Sequence, residues 1–165
     1  MADAGRYTVV LAKEDFKFSC AHFTVFGPTE AEALHGHNYR VRLELEGAGL
    51  DDLGLLIDFE RAKAEVRRLC AELDSRMLIP AACPLLAIRT ERDQVAVAFA
   101  GRRYRFPAED VLLLPLANST VELLAHHLWQ GLAPILAATG VDTLAVDVAE
   151  TAGQSCTFRA RLPPG

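Results

Sequence analysis

Two histidines separated by a single glycine are the residues of this 165-residue chain that point most directly to chemistry. His35 and His37 open a run that alternates between apolar and polar residues as far as Glu46, which is typical of a β-strand with one buried face. Residues i and i+2 of a strand point to the same side, so both imidazoles project together. A strand can supply two ligands to one metal ion in this way.

A third ligand could come from either of two places. His22 ends a second alternating segment, residues 16–22. His126 and His127 are neighbours in a predicted helix, where adjacent side chains diverge by about 100°, so at most one of them could join the pair. Three imidazoles with an open fourth position describe a catalytic zinc site, although the spacing also suits other divalent metals.

The elements that position these histidines follow from the periodicity of the chain. Two further strand patterns occupy 144–150 and 156–162. Asp58 is a predicted helix N-cap, and Ser119 with Glu122 forms a predicted capping box for a second amphipathic helix. This order predicts an α+β fold: an antiparallel four-stranded sheet with two helices on one face.

An insert at about 84–115 interrupts this pattern. Alternating residues on both sides of Gly101 predict a hairpin there. Arg102, Arg103 and Arg105 lie in its second arm, either as a solvated face or as contacts for an anionic substrate.

Length and charge bound the remaining possibilities. The chain suits a single domain, 1–165, and its net charge of −5 argues against nucleic acid or an anionic membrane as the main partner. No apolar run approaches bilayer length, and Met1 to Arg6 lacks the apolar region of a signal peptide. Four scattered cysteines without a C-x-x-C pair suit reduced thiols. We therefore expect a cytoplasmic protein.

Glu150 ends the apolar face of a predicted strand. A carboxylate in that position is either a solvated strand end or an anchor for a cationic or amide-rich ligand. The pattern alone leaves both readings open.

Several short motifs occur in an order that resembles one known family, the 6-pyruvoyl- and 6-carboxytetrahydropterin synthases. The resemblance covers nearly the whole chain except the insert. Its motifs are Phe18-Ser19-Cys20-Ala21-His22, His35-Gly36-His37-Asn38-Tyr39, Leu56-Ile57-Asp58-Phe59, Leu73-Asp74, Ser119-Thr120-Val121-Glu122 and Glu150-Thr151.

The resemblance implies a tunnelling fold, in which subunits join their sheets into a barrel, usually as a hexamer built from two trimers. Active sites would lie between subunits. It also implies a carbon–oxygen lyase that acts on 7,8-dihydroneopterin triphosphate in pterin, folate or deazapurine biosynthesis. The implied site comprises zinc ligands His22, His35 and His37, a pterin anchor Glu150, and pterin-recognising residues Thr120 and Glu122.

The chain departs from the family in the loop before His35. The main branches use a cysteine there as catalytic base, whereas residues 23–34 contain Glu30 and Glu32 and no cysteine. Glu32 resembles the glutamate of the type III branch, whose members cleave the substrate side chain to give 6-hydroxymethyl-dihydropterin. A carboxylate near zinc can serve as a base. Cys20 is a rival, because it shares a strand face with His22.

A second departure affects the Asp-His pair that assists the base in the family. Asp74 is present, but Ser75 follows it in place of histidine. A serine hydroxyl does not titrate near neutral pH and cannot shuttle protons as imidazole does. We therefore expect slow or altered chemistry, with a pterin-binding protein of weak activity as the alternative.

Overall fold

The computed structural model describes residues 5–137 and 139–163 and has an α+β architecture. The sequence predicts that Met1 to Arg6 is not a signal peptide. Residues 1–4 of that segment lie outside the described residues. The helices are α1 (Phe59–Leu73) and α2 (Val121–Leu136). The strands are β1 (Tyr7–Leu11), β2 (Lys17–His22), β3 (His35–Gly47), β4 (Arg76–Pro80), β5 (Ala87–Glu91), β6 (Gln94–Phe99), β7 (Arg102–Pro107), β8 (Val111–Leu114), β9 (Thr143–Thr151) and β10 (Gln154–Arg161).

Seven strands form the main sheet in the order β10-β9-β3-β2-β4-β8, and β1 pairs with β3 beside β2. The four strands predicted from alternation are neighbours in this sheet and pair antiparallel: β2, β3, β9 and β10. The predicted strand number was too small. Three strands are additional. β1 pairs antiparallel with β3, whereas β4 and β8 are short, mostly apolar runs that pair in parallel, and such runs carry no alternation to reveal them.

The two helices and the sheet share one core. Tyr39, Leu43 and Leu45 of β3 are fully buried, as are Leu124 and Leu132 of α2. Asp58 caps α1 as predicted, since its carboxylate accepts the backbone N–H of Glu60 at 2.9 Å. No helix in the described ranges is long and apolar enough to cross a bilayer.

The start of α2 differs from the predicted capping box. Thr120 is the N-cap and accepts the N–H of Leu123. Ser119 is buried instead, and its hydroxyl donates to the carbonyl of Phe23 at 2.9 Å. The tertiary contact takes Ser119 away from its local capping role.

The insert contains the predicted hairpin, β6–β7, with Gly101 at a φ of +85° in the turn. Strand β5 extends it to a separate three-stranded sheet. Its buried face, which includes Val95, Val97 and Phe99, packs against Phe23 and Val25. The insert is thereby attached to the loop between β2 and β3.

Candidate metal centre and its surroundings

The antiparallel register of β2 and β3 brings three histidines to one point of the sheet. His22 pairs with His35, and Cys20 pairs with His37, so all three imidazoles emerge on the same face. One ring nitrogen from each histidine lies within 4.8 Å of the others. Period-two spacing brings His35 to His37, and the pairing of two strands brings both to His22.

Hydrogen bonds set the tautomer of two of these rings. Nδ1 of His22 lies 2.9 Å from the carbonyl of Ser119, and Nδ1 of His35 lies 2.9 Å from the carbonyl of Ala33. A carbonyl only accepts, so each Nδ1 carries a proton, and in the neutral ring Nε2 is then the nitrogen that presents a lone pair. Nε2 of His37 lies 2.9 Å from Nε2 of His35. This donor set fits a divalent metal, because metal-bound histidines are held in this way through their other nitrogen.

Burial favours the neutral form of His22. Its side chain is 1% exposed, and desolvation lowers the pKa of the imidazole despite the bond to Ser119. A neutral imidazole is the form that binds a metal.

Tyr39 and Glu150 border the histidine cluster. The Tyr39 hydroxyl donates to Oε1 of Glu150 at 2.9 Å and lies 3.1 Å from Nε2 of His22. Burial, together with the bond to the Glu150 carboxylate, holds the pKa of Tyr39 well above its ordinary value, so the phenol remains a donor. The same Oε1 lies 3.7 Å from Nε2 of His37. Glu150 is therefore a fixed part of this site and not a free strand end.

Glu32 borders the cluster at His35. Its Oε2 is 4.0 Å from Nε2 of His35 and accepts the backbone N–H of Thr24 at 2.8 Å. Partial burial raises the pKa of Glu32, but the hydrogen bonding to Thr24 and the nearby His35 and His22 outweigh it and lower the pKa overall. The carboxylate is ionised at neutral pH.

Cys20 lies on the face of β2 that carries His22, as the alternation predicts, but it is buried. Desolvation, with smaller contributions from Asp74 and Glu150, raises the pKa of its thiol to about 12. A thiol of this kind is protonated at neutral pH and is a poor base. The environment thus disfavours Cys20 as the rival of Glu32.

Asp74 closes α1 and ties its end to β2. Its carboxylate accepts the N–H of Ser19 at 2.7 Å and the hydroxyl of Ser75 at 3.1 Å. Ser75 has a left-handed φ of +58° and donates its N–H to the carbonyl of Ser19. Ser75 and His37 line the same cavity of about 530 Å³. Within the described residues, no hydrogen bond or ion pair joins Asp74 to the histidines.

The start of α2 reaches the site through its backbone. Ser119 holds His22, and Thr120 follows as the helix cap. Glu122 is exposed, and its charge adds to desolvation in raising the pKa of Cys156 on β10. No hydrogen bond or ion pair among the described residues joins Glu122 to the histidine cluster. His126 packs against Phe158, with ring centroids 4.4 Å apart, and not beside the pair.

The arginines of the insert separate onto two faces. Arg102 donates to the backbone carbonyl of Glu32 at 2.6 Å. Arg103 and Arg105 line a cavity on the other face, together with Arg89. Only Arg102 of the three insert arginines named from the sequence reaches the candidate site.

Sequence reasoning missed several groups that shape the site. Tyr39 was a visible candidate, since it shares the period-two face of His35 and His37. The carbonyls of Ser119 and Ala33 gave no signal, because any residue type could supply them. The backbone N–H of Thr24, which holds the Glu32 carboxylate, could not be predicted for the same reason.

The curled sheet, the two helices on one face and the converging imidazoles define a tunnelling-fold protein with a candidate metal centre. A family model described as 6-pyruvoyl tetrahydropterin synthase matches residues 11–161, and the chain belongs to this family. A protein of Methanocaldococcus jannaschii named "Putative 6-carboxy-5,6,7,8-tetrahydropterin synthase" is 30% identical over 149 residues, which span 88% of this chain and 91% of the relative.

Solved structures agree with this assignment. The 6-pyruvoyl tetrahydropterin synthase of Plasmodium vivax superposes with a TM-score of 0.89 at 29% identity, over 95% of this chain and 99% of the other. The Plasmodium falciparum enzyme gives a TM-score of 0.89 at 25% identity, over 94% and 98%. Two further P. vivax structures carry alanine or cysteine in place of a catalytic glutamate, each with a TM-score of 0.86 and 29% identity, over 95% and 99%.

Proposed function

We propose that this protein is a zinc-dependent lyase that acts on 7,8-dihydroneopterin triphosphate in pterin biosynthesis. The observation that carries the proposal is the convergence of three imidazole nitrogens beside an ionised glutamate and a fixed carboxylate. Membership of the synthase family supports the substrate class.

His22, His35 and His37 would hold the metal. Zinc suits a set of neutral imidazoles, and bound there it would act as a Lewis acid on an oxygen of the substrate side chain. The carbonyls of Ser119 and Ala33 keep two of the rings in the tautomer that presents Nε2. They therefore organise the donors before any metal arrives.

Glu32 would be the catalytic base. It is ionised, it lies 4.0 Å from a proposed ligand, and Thr24 holds its carboxylate in place. The base removes a proton from a side-chain carbon, and the electron pair then expels the triphosphate as its C–O bond breaks. The P. vivax enzyme, with its catalytic glutamate, supports a carboxylate in this role.

Glu150 would orient the pterin by accepting its amino and ring N–H groups. Tyr39 occupies one side of Oε1, which leaves the remaining lone pairs of the carboxylate for the ligand. Thr120 and Glu122 would assist from the start of α2, while Asp74 would act from the end of α1. The backbone contact of Ser119 with His22 supports the placement of Thr120 near the site.

Type III cleavage is the second candidate, and the chemistry of residues 23–34 favours it. That loop presents a held carboxylate and no thiol, and Ser75 stands in the place of a proton-shuttling histidine. In this reaction the bond between the first and second carbons of the side chain breaks, 6-hydroxymethyl-dihydropterin is released, and the remaining two-carbon fragment leaves with the triphosphate. A pterin-binding protein without efficient turnover would keep the metal and the anchor but give neither product.

We further propose that the protein acts in the cytoplasm as a homo-oligomer, a hexamer of two trimers. The two outer strands of the main sheet, β10 and β8, each have one neighbour in that sheet among the described residues, which leaves edges for subunits to share. The proposed partner is the dihydropterin substrate, with no nucleic acid or membrane involved.

One experiment separates the candidates. The purified protein is analysed for bound metal and then incubated with 7,8-dihydroneopterin triphosphate, and the products are identified by mass. A 6-pyruvoyl or 6-carboxy product with released triphosphate supports the lyase, and 6-hydroxymethyl-dihydropterin supports side-chain cleavage. Bound zinc without product supports the binding protein, and a lack of both metal and product contradicts all three.

A further inference from the structure

Arg102 joins the insert to the backbone of the proposed base. Its guanidinium donates to the carbonyl oxygen of Glu32 at 2.6 Å, from a strand seventy positions further along the chain. A charged donor makes a shorter and stronger bond to a carbonyl than a neutral donor does. The contact therefore restrains one residue of the 23–34 loop in particular.

This bond completes the set of restraints on Glu32. Its backbone N–H donates to the carbonyl of Thr24 at 2.9 Å, and its carboxylate accepts the N–H of Thr24 at 2.8 Å. Arg102 takes up the remaining backbone group, the carbonyl. Both restraints from Thr24 come from within the loop, so Arg102 supplies one from outside it.

The packing of strand β7 fixes the position from which Arg102 contacts the 23–34 loop. Arg102 pairs with Phe99 in the β6–β7 hairpin, and Phe99 belongs to the buried face of the insert that packs against Phe23 and Val25. Tyr104, two residues along the same face, stacks on Phe23 with ring centroids 5.5 Å apart. The side chain of Tyr104, two residues beyond Arg102 in β7, thus packs against Phe23, the residue that follows His22.

We propose that Arg102 is a positioning residue: the insert holds the Glu32 backbone through it, so that the carboxylate stays directed at the metal centre. The inference rests on the proposed role of Glu32 as base. It gives the insert a function in the reaction, which neither hairpin patterning nor family membership suggests. Preorganised placement of a base is worth a large part of its effect on rate.

The test compares Arg102→Ala with Arg103→Ala in the metal-loaded protein. Both residues are exposed neighbours in β7, but Arg103 lies on the opposite face of the insert, and within the described residues its side chain makes no hydrogen bond or ion pair. We expect Arg102→Ala to lower kcat about tenfold with little change in KM, which is less than the roughly hundredfold cost of a full ångström of misplacement. Arg102→Lys should recover part of the rate, and Arg103→Ala should match the wild type.

Two further measurements separate positioning from other effects. Hydrogen exchange of the Thr24 and Glu32 amides should accelerate in Arg102→Ala and stay unchanged in Arg103→Ala. In a Glu32→Gln background, loss of Arg102 should cause no further fall in kcat. Unchanged exchange together with unchanged kcat in Arg102→Ala would overturn the inference. If Glu32→Gln retains full activity while the exchange difference persists, the proposed base is wrong and the restraint itself stands.

Discussion

The hydroxyl of Tyr39 donates to Glu150 at 2.9 Å while it lies 3.1 Å from Nε2 of His22. One buried phenol thereby holds the proposed pterin anchor on β9 and lies beside the proposed metal ligand on β2. The bond from Tyr39 fixes the Glu150 carboxylate beside the metal centre. A pterin ring held by Glu150 would then present its side chain to the metal at a defined distance.

Tyr39→Phe should weaken substrate binding while the metal is retained. The substitution keeps the buried ring and removes the donor that fixes Glu150, so we expect KM to rise several-fold and stability to fall by about 1 kcal/mol. Steady-state kinetics and metal analysis check the result. Tyr7→Phe is the control because Tyr7 is exposed. Loss of metal with unchanged KM would show that the hydroxyl serves His22 and not Glu150.

Glu32→Gln should abolish most of the activity. The amide is nearly isosteric but cannot take a proton at neutral pH, and general-base catalysis typically contributes about 10²- to 10⁴-fold in rate. We expect kcat to fall by roughly that factor with metal content unchanged. Glu30→Gln in the same loop is the matched control and should behave as the wild type. Equal activity in the two variants would remove Glu32 from the mechanism.

His22→Ala should lose the metal. His22 is the buried member of the cluster, and without it only two imidazoles remain at the centre. We expect metal affinity to fall by more than about 100-fold, since changes to residues that merely support a ligand already cost about 10- to 100-fold. Elemental analysis after dialysis measures this loss, with His126→Ala as control. A metal stoichiometry that follows His126 instead would contradict the proposed ligand set.

Cys20 should resist alkylation in the folded protein. A pKa of about 12 leaves roughly one thiol in 10⁴ ionised at pH 8, and burial further restricts access. Iodoacetamide labelling followed by mass spectrometry should modify Cys20 only after unfolding in denaturant, whereas the partly exposed Cys156 should react first. Cys20→Ser should keep the activity. Rapid native labelling of Cys20 would return it to consideration as a base.

Ser75→His should change the rate of the reaction. Ser75 lines the cavity that also contains His37, and its left-handed φ is one that histidine tolerates better than most residues. The imidazole would restore a titrating group beside Asp74, so we expect kcat to increase severalfold near neutral pH. Ser75→Asn provides a control that fits the backbone without titrating. An unchanged rate on every dihydropterin substrate would disprove the expectation.

Local patterns predicted much of this structure because their causes are local. Period-two alternation located β2, β3, β9 and β10, and it put His35 on the same face as His37. The carboxylate of Asp58 caps α1 as its position before an amphipathic stretch predicts. Gly101 turns the hairpin of the insert for the same kind of reason, since glycine readily adopts a positive φ.

The tertiary structure decided what depends on distant partners. Strands β4 and β8 pair in parallel across a long connection, and the sequence of a short apolar run does not indicate which strand will pair with it. Ser119 does not cap α2 as predicted, because its hydroxyl donates to the buried carbonyl of Phe23 instead. His22 was one of two possible companions for His35 and His37 until the strand register brought it beside them. The carbonyl groups that orient His22 and His35, and the arginine that holds Glu32, come from backbone positions and long-range contacts that residue types alone do not specify.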